Sequence, residues 1–147
     1  MASVHPYLNF AGNTEEAFNF YKSVFGGEFQ AVMRFGETPG CDESPIAENE
    51  KDKIAHIALP LGTEGTMLMA TDSLESMGQK LTVGNNFSIT YNPDSKEEAD
   101  RLFTALGDGG TVIMPIADTF WNAYWGCLTD RFGVNWMINY DTSNATA

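Results

Sequence analysis

The sequence predicts an α+β fold built from two copies of one βαβββ unit, and three observations predict it. The first is an internal repeat. Residues 13–27, Asn-Thr-Glu-Glu-Ala-Phe-Asn-Phe-Tyr-Lys-Ser-Val-Phe-Gly-Gly, recur as residues 95–110, Ser-Lys-Glu-Glu-Ala-Asp-Arg-Leu-Phe-Thr-Ala-Leu-Gly-Asp-Gly-Gly. An offset of 82 residues aligns Glu15-Glu16-Ala17 with Glu97-Glu98-Ala99, Phe20-Tyr21 with Leu102-Phe103, Val24 with Leu106 and Gly27 with Gly109. Only two copies fit, so the repeat is a duplicated supersecondary unit and not a solenoid. The second observation is that each copy reads as one amphipathic helix. The third is that the same order of short strands surrounds both.

The elements follow in order. Val4 to Phe10 reads as a strand. Asn13 and Glu16 then have the spacing of a capping box, which satisfies the first free backbone N–H groups of a helix. Ala17, Phe20, Tyr21 and Val24 make its apolar stripe, and Gly26-Gly27 supplies the left-handed backbone that ends it. Strands follow over 28–35, 54–61 and 66–71, the last two joined by a Gly-Thr-Glu-Gly turn. The second copy offers a strand over 86–91 and a helix opened by Ser95 and Glu98. Its stripe is Ala99, Leu102, Phe103 and Leu106, and it ends at Gly107. Strands over 111–115, 123–128 and 134–138 complete it. Between Gly36 and Lys53 lies an acidic stretch with Asp42, Glu43, Glu48, Glu50 and Asp52, read as a mobile surface loop or as a lid. Residues 72–85 join the halves and the tail after Tyr140 frays. Residues 1–147 are therefore one domain, with modules at 1–72 and 86–140.

Composition narrows the partners. Twenty acidic and eight basic side chains in 147 residues give a net charge of −12. That balance argues against a nucleic-acid surface, which needs clustered Lys and Arg, and against an anionic membrane. The 43% of hydrophobic residues suffices for a core, yet no window approaches a bilayer-spanning length. The opening residues lack a basic region followed by an apolar run, so a cytoplasmic protein is expected. Cys41 and Cys127 have no metal-ligand or redox-motif spacing and are expected to be reduced thiols.

Several segments carry a family likeness. His5-Pro6-Tyr7-Leu8-Asn9-Phe10, Gly12-Asn13, Ala17-Phe18, Phe20-Tyr21 and Phe25-Gly26-Gly27 resemble the opening of PhnB-like proteins. Met67-Leu68-Met69-Ala70 with Asp72 resembles their fourth strand. Asp118-Thr119-Phe120-Trp121 and the run from Thr129 to Asn139 resemble their C-terminal signature. PhnB-like proteins belong to the vicinal oxygen chelate superfamily of glyoxalase I, bleomycin-resistance proteins and extradiol dioxygenases. The resemblance implies curved mixed sheets around a cleft, the glyoxalase/bleomycin resistance/dioxygenase-like fold, and a homodimer. Members often carry the label 3-demethylubiquinone-9 3-methyltransferase-like. This sequence has no glycine-rich strand-to-helix turn with an acidic ribose contact after it, so methyl transfer with a nucleotide-type cofactor is not expected.

Metal-dependent members hold a divalent ion with two ligands from each module. Carried over, those positions fall on His5, near Met69, near Ser88 and near Met137. A thioether is a poor ligand for hard divalent ions, and a catalytic site ordinarily keeps three strong protein donors. The standard metal site is therefore expected to be absent, and no cofactor is predicted. A non-standard divalent site would have to combine His5, His56 and Asp72. The sheet order implied by the resemblance would separate the two imidazoles by roughly 10 Å.

His56, within Ile54-Ala55-His56-Ile57-Ala58, alternates with Ile57, Leu59 and Leu61 and should face away from the helix. It is the candidate catalytic residue, as a general base or as a hydrogen-bond anchor for a carbonyl or phosphonate-like oxygen, with a partnered strand histidine as the plain alternative. His5, Met67, Met69, Phe120, Trp121 and Trp125 are the candidate ligand-binding residues, an apolar and adaptable lining. The leading expectation is a metal-independent protein binding a small organic molecule. The alternatives are a divalent-metal lyase, isomerase or dioxygenase with a His-based site, and a drug-sequestering protein whose cationic ligand would suit the acidic charge.

Overall fold

The computed structural model describes residues 2–37 and 47–143. The chain folds as two compact units, residues 1–82 and 83–147. Residues 73–82, read from sequence as part of a linker, belong to the first unit. Leu74 is fully buried there and the Ser73 N–H donates to the Phe10 carbonyl at 2.7 Å.

The first unit runs β1 (Tyr7–Phe10), α1 (Thr14–Phe25), β2 (Ala31–Arg34), β3 (Ile54–Leu61) and β4 (Thr66–Asp72). Its sheet has the order β1-β4-β3-β2, with β1 parallel to β4 and the other pairs antiparallel. Helix α1 covers one face. Ala17, Phe18, Tyr21 and Val24 are buried with Leu8, Phe10, Ile57, Leu59, Leu61, Leu68 and Ala70. Phe18 takes the central place expected of Phe20, with its ring edge-on to Phe10 and to Tyr21.

The start of α1 departs from the expected capping box. Asn13 makes no side-chain cap hydrogen bond. The cap is Asp72, at the end of β4. Its Oδ1 accepts from the Gly12 and Thr14 N–H groups at 3.1 and 3.0 Å and from the Thr14 hydroxyl at 2.6 Å. Its Oδ2 accepts from the Ile54 N–H at 2.8 Å. One buried carboxylate thus ties β4, the helix N-terminus and the start of β3 together.

The acidic segment expected as a loop or lid falls largely on residues 38–46, outside the described residues, as does Cys41. Its described base is held to the sheet. Phe35 N–H donates to the Lys53 carbonyl at 3.0 Å and Gly36 N–H to that of Lys51 at 2.9 Å. Glu50 is buried and accepts from the Ser76 hydroxyl, which holds its carboxyl below the usual range.

The second unit repeats the plan with β5 (Ile89–Tyr91), α2 (Lys96–Gly107), β6 (Thr111–Asp118), β7 (Ala123–Thr129) and β8 (Asn135–Asp141), in the order β5-β8-β7-β6. Here the local cap forms as expected, with Ser95 Oγ accepting from the Glu98 N–H at 3.1 Å. Helix α2 buries Ala99, Leu102, Phe103 and Leu106. Gly107 is its last residue and not its terminator. Gly109, at φ +77°, supplies the left-handed step. Strand β6 continues past Pro115, because Pro on an edge strand removes no inner ladder bond and bulges absorb the register shifts.

The C-terminal signature has a structural meaning. Asp130 is buried in the turn between β7 and β8. Its Oδ1 accepts from the Phe132 and Val134 N–H groups, and its Oδ2 from the Trp136 indole N–H at 2.9 Å. Gly133, at φ +88°, closes the turn. The run therefore builds a turn around one carboxylate and anchors the largest fully buried side chain, Trp136.

Candidate functional site

Each sheet carries its helix on one face, so alternation sends every second strand residue to the other. In the first unit Ile57, Leu59 and Leu61 are buried on the helix side, and His56 faces away, as expected. Met33 is its cross-strand neighbour on β2. Met67 and Met69 on β4 share this face, alternating with buried Leu68 and Ala70. Tyr7 on β1 lies in register with Met69.

Tyr7 and His56, 49 residues apart, form a pair. Their rings stack at 5.9 Å between centroids with 24° between planes. The Tyr7 hydroxyl lies 3.4 Å from His56 Nδ1, at the long end of hydrogen-bond reach. Burial raises the Tyr7 phenol above its ordinary value, so the hydroxyl keeps its proton, and the imidazole tautomer decides whether it donates to Nδ1 or accepts from it. In the tautomer that carries its proton on Nε2, Nδ1 accepts from the phenol. The ring then offers a hydrogen-bond donor to whatever lies on this face, which suits an anchor for a carbonyl or anionic oxygen. General-base action at Nε2 requires the other tautomer.

Tyr7, named in the sequence only within the family-like opening run, is not among the candidate site residues read there. Alternation with the core residues Leu8 and Phe10 puts it on the open face. Its meeting with His56 depends on how β1 and β3 flank β4, which no local pattern encodes.

His5 has a different task. Its Nδ1 accepts from the Met67 N–H at 2.9 Å and its Nε2 lies 3.1 Å from Ser3 Oγ. This side chain continues the β1–β4 pairing beyond the Pro6 carbonyl, which accepts from Met69 N–H at 3.1 Å. Both ring nitrogens are thus engaged in holding the chain.

Asp72 does not join the two histidines. It alternates with Met69 and Thr71 onto the helix side, where four donors occupy its two oxygens. The group His5, His56 and Asp72 therefore does not form. Among the described residues no three His, Cys, Asp or Glu side chains converge as a metal-binding group. The donors at His5, Met69, Ser88 and Met137 do not fit a hard divalent ion either, since two are thioethers and His5 is committed to backbone and Ser3.

The aromatic candidates lie in the second unit. Asn122, at φ +64°, turns the β6–β7 hairpin, and the Thr119 hydroxyl clasps Ala123. Phe120 is 94% exposed and Trp121 54% exposed, with their rings edge to face at 4.8 Å. Trp121 reaches Trp125 at 6.3 Å, and Trp125 pairs across to Asn139 on the face away from α2. Tyr124 turns to the helix side. It donates to Asp100 at 2.5 Å beneath the Lys96 ammonium, and that bond pushes its phenol up to about 12.

Two four-stranded mixed sheets, each carrying one helix, are the architecture of glyoxalase/bleomycin resistance proteins. Solved members from Burkholderia phytofirmans and Albidiferax ferrireducens match it with TM-scores of 0.58 and 0.59, a likeness of fold alone. Within that class the family is specific. A family model described as 3-demethylubiquinone-9 3-methyltransferase matches residues 2–139, and the chain belongs to that PhnB-like family. Protein YjdN of Escherichia coli is 34% identical over 140 residues, 91% of this chain and 92% of its own. The crystal structure of protein PA1353 from Pseudomonas aeruginosa is 43% identical over 96% of this chain and 98% of that one, with a TM-score of 0.83. A PhnB protein from Bacillus cereus is 26% identical over 95% and 99%, with a TM-score of 0.74.

Proposed function

We propose that this PhnB-like chain binds a small organic molecule on the open face of its first sheet, without the standard divalent-metal site of the superfamily. The observation that carries the reading is the Tyr7–His56 pair, a polar anchor set among Met33, Met67 and Met69. Unbranched thioether side chains adapt to irregular apolar shapes, and a few fixed polar groups orient what they hold. The ligand therefore carries an apolar body and an acceptor oxygen for His56 Nε2.

The family's description does not by itself make the chain a methyltransferase. The N-terminus of α1 follows the first strand, where a nucleotide-type phosphate would sit. The Asp72 carboxylate already takes its Gly12 and Thr14 N–H groups. A homodimer is part of the proposal, supported by exposed apolar side chains such as Val112, Ile113, Phe120 and Trp121. A cytoplasmic location is proposed as well. Among the described residues no helix is long and apolar enough to cross a membrane.

Native mass spectrometry of the as-isolated protein, followed by binding of anilinonaphthalene sulfonate, tests this. A metal-free dimer whose probe affinity falls in both Tyr7→Phe and His56→Ala supports it. One divalent ion per chain, or probe binding indifferent to both substitutions, overturns it.

A further inference from the structure

We infer that Met114, Cys127 and Met137 form a binding site for one soft monovalent metal ion, Cu(I). The three residues stand side by side on neighbouring strands of the second sheet. Cys127 on β7 has Met137 of β8 as its Cα partner on one side and Met114 of β6 on the other. Directly opposed side chains of adjacent strands start about 4.5–5.5 Å apart, so two flexible thioethers flank one thiol.

The face of Cys127 and Met137 is fixed by packing, and Met114, between two register shifts of β6, joins it as the Cα partner of Cys127. Gly126 points at α2, since a Cβ there would meet the Phe103 ring at 2.8 Å. Leu128, Trp136 and Ile138 are buried on the same side. Cys127 and Met137 alternate with these residues and therefore face away from the helix, where both stay half-buried. Met114 is 50% exposed, which leaves the row an approach from solvent. Cys127 is a free thiol.

A thiolate with two thioethers is the donor set that selects Cu(I) over harder divalent ions. Three ligands in one row suit the low coordination numbers of that ion. Binding exchanges the thiol proton of Cys127 for the ion, so one proton is released per ion bound. The row involves neither Tyr7 nor His56, and the inference stands apart from the proposed ligand face.

Titrating the reduced, full-length protein with Cu(I) against bicinchoninate tests the site. The expected result is one ion per chain, accompanied by thiolate-to-metal ultraviolet absorption, retained in Cys41→Ser and lost in Cys127→Ser. Met114→Leu and Met137→Leu conserve apolar volume and keep the fold. Each is expected to weaken binding by about tenfold or more. Failure to compete with bicinchoninate overturns the site. So does full binding by Cys127→Ser, or wild-type affinity in both leucine variants.

Discussion

Removing the Asp72 carboxylate should cost far more than removing the residue that the sequence marks as the helix cap. In Asp72→Ala, the Gly12, Thr14 and Ile54 N–H groups and the Thr14 hydroxyl all lose their acceptor. The hydroxyl can rotate to another partner and the half-buried Gly12 N–H can reach water. The Thr14 and Ile54 N–H groups are buried and cannot. An orphaned buried donor costs about 1–3 kcal/mol, and bonds to a charged acceptor sit high in that range. The expected loss is therefore about 3–5 kcal/mol, a large part of the stability of a domain this size. Asn13→Ala should cost less than about 0.5 kcal/mol, since Asn13 makes no side-chain cap. Ser95→Ala should cost about 1 kcal/mol, the ordinary worth of a serine cap. Urea unfolding of the three variants reads this as shifts of midpoint at constant m. Amide exchange at Thr14 and Ile54 should accelerate in Asp72→Ala alone. The reasoning is refuted if Asn13→Ala and Ser95→Ala lose equal stability, or if Asp72→Ala falls within about 0.5 kcal/mol of wild type.

Two further outcomes follow from the geometry. Gly126→Ala places a Cβ 2.7 Å from the Ile116 backbone and 2.8 Å from the Phe103 ring, so β6 or α2 must shift. A loss of about 1–3 kcal/mol or more is expected by thermal melting, and an unchanged midpoint would place the strand register elsewhere. Tyr124 has a folded value raised to about 12, chiefly by its bond to Asp100, so the protonated phenol is favoured by folding. That contribution is complete below the unfolded value near 10 and is lost as pH rises toward the folded one. Spectrophotometric titration of wild type and Tyr124→Phe should show a late-ionising tyrosine missing from the variant, while identical curves above pH 10 would contradict the bond.

The two starts of helix show how far local spelling reaches. Asn13-Glu16 and Ser95-Glu98 read alike, yet Ser95 caps its helix and Asn13 does not. At the first helix a buried carboxylate, Asp72, brought alongside by the parallel pairing of β1 with β4, takes the Gly12 and Thr14 N–H groups on either side of Asn13. Phe18 displacing Phe20 from the core centre is the same kind of event, in which a sheet chooses among apolar residues that periodicity leaves equivalent. At the candidate site, the facing of His56 followed from alternation, while Tyr7 became its partner only through the order β1-β4-β3.

The sequence by itself determined the duplicated βαβββ plan, the two helices, the outward facing of His56 and the family. Each rests on short-range periodicity or a contiguous run of residues, whose physics acts within one or two turns of chain. Tertiary structure alone decided that Asp72 and Asp130 are buried clamps. It also decided that His5 serves the backbone, that Tyr7 stacks on His56 and that three sulfur side chains share one row. Those outcomes depend on strand register, where a shift of one residue sends every side chain to the opposite face. Register is set by the packing of the whole sheet against its helix.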